Sequence, residues 1–148
     1  RVVLETNLHG LVRMTRLFLP HVRDGGHIVN IGSLAGRRAY RSGAVYVASK
    51  YAVRGFTYAL REDLLGRPIR ITTVDPGMVE TEFSLVRFGG DAGRATRVYE
   101  GLQVLTAEDV AECVLFAVSR PPHMNVDEIV VLPTQQSRTA RMPRTGGE

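Results

Sequence analysis

The stretch GAVYVASKYAVRGF, residues 43–56, sets Tyr46 four positions before Lys50, and Lys50 is the only lysine among 19 basic side chains. On a helix, residues four apart share a face, with Cβ atoms about 5–6 Å from one another. A phenol titrates near ~10 and exchanges protons poorly at neutral pH. A neighbouring ammonium favours the phenolate and so brings tyrosine into the range useful for general acid–base work. Arginine would also supply charge, but its head is bulkier and holds its proton, whereas lysine is compact and titratable. One position in an otherwise arginine-only chain therefore calls for an ammonium. Taken singly the pair is a weak signal, since Y-x-x-x-K also arises by accident on a shared helix.

The elements that must position the pair follow from periodicity. Apolar residues at helical spacing predict a helix over 2–20, ending at Pro20. HIVNIGS, residues 27–33, reads as a short buried strand. A second helix is predicted over 44–65, stopped by Gly66 and Pro68. IRITTV, residues 69–74, is rich in β-branched residues and reads as a strand halted by a DPG turn at 75–77. A third helix opens at Thr106, where TAED offers a capping threonine and an acid three residues on, and runs to about Ser119. DEIVVLP, residues 127–133, is the last strand, and residues 134–148 read as a flexible tail. Helix and strand alternate throughout, which predicts an open, parallel α/β sheet with crossover helices. Ligands of such sheets sit beyond the carboxyl ends of the strands. The stretches GSLAG, DPGMVETEF and VYVASK fall there.

Composition narrows the rest. At 148 residues and 44% hydrophobic, the chain has ordinary globular make-up and no apolar run near membrane-spanning length. The opening RVVLETNLHG mixes charge with apolar residues rather than showing a basic region and a long apolar core. Net charge is +4, but the arginines are scattered rather than striped, which argues against nucleic-acid binding. The four histidines lack metal-ligand spacing, so no metal is expected, and the single cysteine, Cys113, reads as a buried thiol. A reducing cytoplasm fits. A chain that starts at Arg1 inside a helical pattern and predicts only three strands is expected to be the later part of a longer protein.

YVASK, with Ser33 of NIGS 13 positions before Tyr46 (46 − 33), resembles the short-chain dehydrogenase/reductase family. Asn7 in ETNLHG is the matching Asn of a segment close to that family's D-x-N-x-x-G, with Glu5 in place of the Asp, and DPGMVET matches its Pro-Gly-x-Val-x-Thr turn. The resemblance covers about residues 1–133 and implies the carboxyl-terminal, catalytic half of a doubly wound Rossmann-like domain. It also implies roles. Tyr46 would exchange a proton with the substrate oxygen, Ser33 would hydrogen-bond that oxygen, and Lys50 would lower the Tyr46 pKa and hold the nicotinamide ribose. Asn7 would keep its helix open for a water that links Lys50 to solvent. Asn30, Pro76, Gly77, Val79 and Thr81, with Tyr46 and Lys50, would contact the cofactor.

The segment from Thr81 through LTAEDVAE, with PPHMN and PTQQ, is similar to the branch of NADP-dependent 3-hydroxy acid dehydrogenases, which includes serine and L-allo-threonine dehydrogenases. That implies NADP, with NAD not excluded, a small hydroxy acid or its carbonyl counterpart, and a cytoplasmic homodimer or homotetramer. Arg87 is the candidate partner for a substrate carboxylate, ahead of Arg94 and Arg97. The glycine-rich phosphate turn of the family is absent from these residues, so the coenzyme preference comes from the branch alone. Competing readings are a carbonyl reductase of another substrate, a nucleotide-sugar epimerase or dehydratase, and a silent dinucleotide sensor. The 13-residue step from Ser33 to Tyr46 counts against the epimerase, and the retained Tyr46 and Lys50 count against the sensor.

Overall fold

Three parallel strands form the sheet, in the order β1 (His27–Ile31), β2 (Arg70–Pro76), β3 (Glu128–Val131). A computed structural model of the chain describes residues 2–82, 89–93, 99–100 and 102–137. β1 and β2 pair from His27 opposite Arg70 to Ile31 opposite Val74, and β2 pairs with β3 from Thr73 opposite Glu128 to Pro76 opposite Val131. The central strand is buried from Ile71 through Pro76. A parallel strand covered on both faces needs such a β-branched run.

β2 runs through Asp75 and Pro76 rather than turning there, which corrects the predicted end at residue 74. The hydrogen-bond parity explains why a proline is accepted. Arg70 donates to Gly26 on the β1 side, while Thr73 and Gly77 donate to Asp127 and Val131 on the β3 side. Even-numbered amides therefore face β1, which pairs only as far as Val74. The missing N–H of Pro76 falls past the last β1–β2 pair, Ile31 opposite Val74.

The predicted helix over 2–20 is helical throughout but not uniform. An α-turn, α1 (Val2–Leu4), passes into a π-helical segment at Glu5–Gly10, returns as α2 (Leu11–Phe18) and closes in a 3-10 turn, Leu19–His21. A Cβ on Gly10 would come within 3.4 Å of the Glu5 carbonyl, five residues back. Such widened turns put one extra residue into the coil and often mark functional positions.

The long crossover helix, α3 (Ala44–Asp63), buries one stripe made of Ser49, Val53, Thr57 and Leu60, continued by Leu64. Its spacing of three and four residues matches a single helical face. Leu60 and Leu64 close on Ile71 of β2, with Leu19, Ile28, Phe56 and Ile69 packed around them. Beyond the helix, Gly66 takes a φ of +90°, a conformation that ends helices at glycine. α4 (Ala107–Val118) begins at the capping box read from TAED: the Asp109 amide donates to Thr106 Oγ1 at 3.3 Å, and the Thr106 amide donates to Asp109 Oδ2 at 2.8 Å. Cys113 on α4 is half-buried rather than buried.

Candidate active site

A cleft of about 470 Å³ opens at the carboxyl ends of β1 and β2. Ser33, Tyr46, Lys50, Pro76, Gly77, Val79 and Thr81 all line it, so seven of the nine positions expected at the catalytic and cofactor site meet in one place. Three stretches supply them: the turn after β1, the start of α3, and the end of β2 with the residues that follow it. Ser33 follows β1 and caps the 3-10 turn Leu34–Gly36, its Oγ accepting from the Ala35 amide at 3.1 Å. Tyr46 and Lys50 lie in the first two turns of α3. Gly36 lets that turn press onto α3, since a Cβ there would meet the Lys50 carbonyl at 2.7 Å.

Lys50 Nζ stands 5.8 Å from the centre of the Tyr46 ring and donates to the Ile31 carbonyl at 3.2 Å. Burial pushes the Lys50 pKa below that of a free lysine, and the negative charge of Asp75 opposes the shift. The ammonium is therefore drawn toward a titratable range, the property that distinguishes lysine from arginine at this position.

Asn7 does not reach the cleft. It sits in the π-helical segment and its Nδ2 donates to Ser49 Oγ at 3.1 Å, which in turn donates to the Tyr46 carbonyl at 2.6 Å. It thus holds the backbone of the residue that faces the cleft. Asn30 also lies away from it: its side chain is buried and its Nδ2 donates to Thr57 Oγ1 at 2.9 Å. Alternation along β1 turns Ile28 and Asn30 toward α3. Asn30 was expected among the cofactor-contacting positions; its side chain is engaged in this interior hydrogen bond. Arg87, Arg94 and Arg97 lie outside the described residues.

The far wall is tied shut by groups that sequence reasoning missed. The Met78 amide donates to Gln136 Oε1 at 2.8 Å and the Gln103 amide to Gln135 Oε1 at 3.1 Å. Val79 bridges to Leu105, with Glu80 donating to the Leu105 carbonyl at 2.8 Å and Leu105 to the Met78 carbonyl at 3.1 Å. The two ends of the intervening segment are thus clamped together beside the cleft. Gln135 and Gln136 belong to the stretch read as tail; the PTQQ motif was the signal that could have placed them. Arg38, Tyr40 and Tyr99 also line the cleft. Arg38 is exposed, with Nη1 donating to the Arg37 carbonyl at 3.1 Å.

Behind the cleft a charged cluster crosses the sheet. Arg37 Nε donates to Asp75 Oδ2 at 2.7 Å and Arg37 Nη2 lies 2.6 Å from Glu128 Oε1. Arg54 Nε donates to the same Glu128 oxygen at 3.2 Å, and the Tyr58 hydroxyl bonds it too. Burial alone would raise the Glu128 pKa, but Arg37, Tyr58 and Arg54 outweigh it and hold the carboxyl at about 2.

Residues 1–87 match the family model of the short chain dehydrogenases. The chain is 46% identical over 138 residues to an NADP-dependent 3-hydroxy acid dehydrogenase of Escherichia coli, covering 91% of this chain and 56% of the relative. It is 45% identical over 141 residues to a sulfoacetaldehyde reductase of Chromohalobacter salexigens, covering 93% and 56%. Among solved structures, the closed form of a serine dehydrogenase complexed with NADP+ superposes with a TM-score of 0.86 at 47% identity, covering 90% of this chain and 55% of that one. The chain therefore spans little more than half the length of these relatives.

Proposed function

The chain belongs to the short chain dehydrogenase family, and on that premise we propose that it carries the catalytic part of an oxidoreductase. The reaction moves a hydride between NADP(H) and the 3-hydroxyl or 3-carbonyl of a small hydroxy acid or hydroxy amino acid. The observation that carries this reading is the convergence of Ser33, Tyr46 and Lys50 with Pro76, Gly77, Val79 and Thr81 on one cleft. The wall suits a nicotinamide and its ribose. Ile31, Leu34, Pro76 and Val79 offer apolar surface to a flat ring, and Tyr46 with Lys50 offers polar groups to a sugar diol. NADP, when bound, supplies the hydride acceptor or donor.

The chain's own residues handle the proton and the oxygen. In oxidation, Tyr46 as phenolate takes the hydroxyl proton while the carbon loses hydride, and in reduction the phenol returns a proton to the carbonyl oxygen. Ser33 Oγ hydrogen-bonds the same oxygen and fixes its position. Lys50 stabilises the phenolate by charge. Asn7 anchors the Tyr46 backbone through Ser49, and in the family role it would also hold its helix open for a water that links Lys50 to solvent.

An anionic substrate needs a cationic partner. Arg38 lines the cleft, and Arg87 is the second candidate for a bidentate hold on a carboxylate. The similarity to a sulfoacetaldehyde reductase supports a sulfonate as the competing anion. A homo-oligomer in the cytoplasm belongs to the same proposal, supported by exposed apolar side chains on α2 and α3, including Leu17, Phe18, Val45 and Tyr51. No helix among the described residues is long and apolar enough to cross a membrane.

The test is a coenzyme and substrate panel on the intact protein. NADP and NAD are each combined with serine, L-allo-threonine, 3-hydroxypropionate, 2-hydroxyethanesulfonate and neutral short alcohols. NADP-dependent oxidation of a 3-hydroxy acid supports the proposal. Turnover of the sulfonate alone moves the substrate class, and turnover of neutral alcohols alone, or none, overturns it.

A further inference from the structure

A carboxylate with almost no exposed surface lies behind the proposed catalytic lysine. Asp75, on the central strand β2, is 1% exposed. A buried carboxylate is costly unless charges and donors surround it. Arg37 Nε donates to Oδ2 at 2.7 Å, and the Ser33 backbone N–H favours the charged carboxylate. Oδ1 fills the room that a side chain on Gly32 would need. Lys50 Nζ is fixed on the carbonyl of Ile31, the residue before Gly32. Carboxylate and ammonium thus flank the same end of β1, while Asp75 does not itself line the cleft.

We propose that Asp75 is a positioning residue whose charge holds the Lys50 ammonium against the end of β1, with Arg37 fixing the carboxylate in place. Its catalytic meaning rests on the reading of Tyr46 and Lys50 as the proton-handling pair. Its electrostatic content does not.

Among the described residues, the charged and titratable groups around Asp75 are few. Arg37 follows the 3-10 turn, Lys50 stands on α3 with Tyr46 one turn before it, and Glu128 comes from β3 with Arg54 and Tyr58 tied to it. Burial draws Lys50 toward the neutral amine, and Asp75 is the group that opposes this. Burial likewise draws Asp75 toward the neutral acid; Arg37 and the Ser33 amide resist, while Glu128 reinforces the burial. Asparagine at position 75 keeps the shape and removes the charge, leaving the burial of Lys50 unopposed. A carboxylate that merely staples the 3-10 turn to the sheet would leave the Lys50 titration where it was.

Because Lys50 is the only lysine in these 148 residues, its side chain can be followed directly. The intact protein is labelled with ¹³C at lysine Cε and titrated, and the Lys50 signal is assigned by its loss in Lys50→Arg. In Asp75→Asn the Lys50 midpoint is expected to fall by about one unit, a tenfold drop in the ammonium-to-amine ratio at fixed pH. The alkaline limb of the kcat profile should move down with it. An unchanged midpoint in the folded variant overturns the inference. Should Asp75→Asn fail to fold, the wild type decides: the Asp75 carboxyl carbon must show an inflection at the Lys50 midpoint, and a flat response there overturns the inference. A wild type without turnover defeats the functional reading alone, since the titration is read without substrate or coenzyme.

Discussion

At the scale of single residues, Arg38 is the one guanidinium among the described residues that line the cleft, where the other cation is the Lys50 ammonium already paired with Tyr46. If it holds the substrate anion, Arg38→Leu should raise KM for 3-hydroxy acids about ten- to hundredfold, the usual worth of a hydrogen bond to a charged group. KM for a neutral alcohol should stay within twofold. Equal effects on both, measured by initial rates, would return the role to Arg87. Ser33, Tyr46, Lys50 and the Pro76–Thr81 stretch were legible in the sequence because their chemistry is packed into short patterns at strand and helix ends. The side-chain partner of Asn30 was not legible, because a one-residue pattern says nothing of which face of β1 it occupies; alternation gives its side chain to Thr57. Arg37 and Asp75 were invisible as a pair because 38 positions separate them and no local period links them. Among scattered arginines, Arg37 looked like any surface cation.

Elements carry the next level. The cluster around Glu128 joins β3 to α3 and to the turn after β1 through Arg37, Arg54 and Tyr58. The Glu128 pKa is held at about 2 against 4.5 for a free glutamate, so its stabilisation is complete above the ordinary carboxylate range. It is lost as pH falls through about 2. Glu128→Gln should therefore cost about 1–3 kcal/mol at pH 7. The wild-type loss of stability between pH 4.5 and 2 should be shallower in the variant. Urea unfolding at both ends of that window checks this; equal slopes in the two proteins would contradict it. Periodicity located the helices and strands, including the α4 capping box, because burial imposes periods of 3.6 and 2 on apolar residues. It could not reveal the π-helical segment at Glu5–Gly10, where one inserted residue leaves the pattern of charges and leucines still helical in appearance. Nor could it carry β2 through Asp75 and Pro76, since DPG reads as a turn until the direction of each amide is known.

On the scale of the whole molecule, alternation of helix and strand was enough to predict the parallel sheet, and its order β1-β2-β3 follows the tendency of consecutive strands to be neighbours. What alternation cannot supply is the covering of the outer faces. Tyr51 on α3 is 45% exposed, and further apolar groups are exposed on α2. If a second copy covers this face, Tyr51→Arg should shift the protein toward monomer in sedimentation velocity, and an unaltered distribution would place the contact elsewhere. The central claim is that one cleft brings Tyr46 to a substrate oxygen as its proton partner. It is tested most directly by single-turnover hydride transfer, followed by nicotinamide absorbance, in the intact protein and in Tyr46→Phe. The variant should lose about 10²–10⁴-fold in the transfer rate, with coenzyme binding changed by no more than a few-fold. A variant that transfers hydride at the wild-type rate would contradict the account.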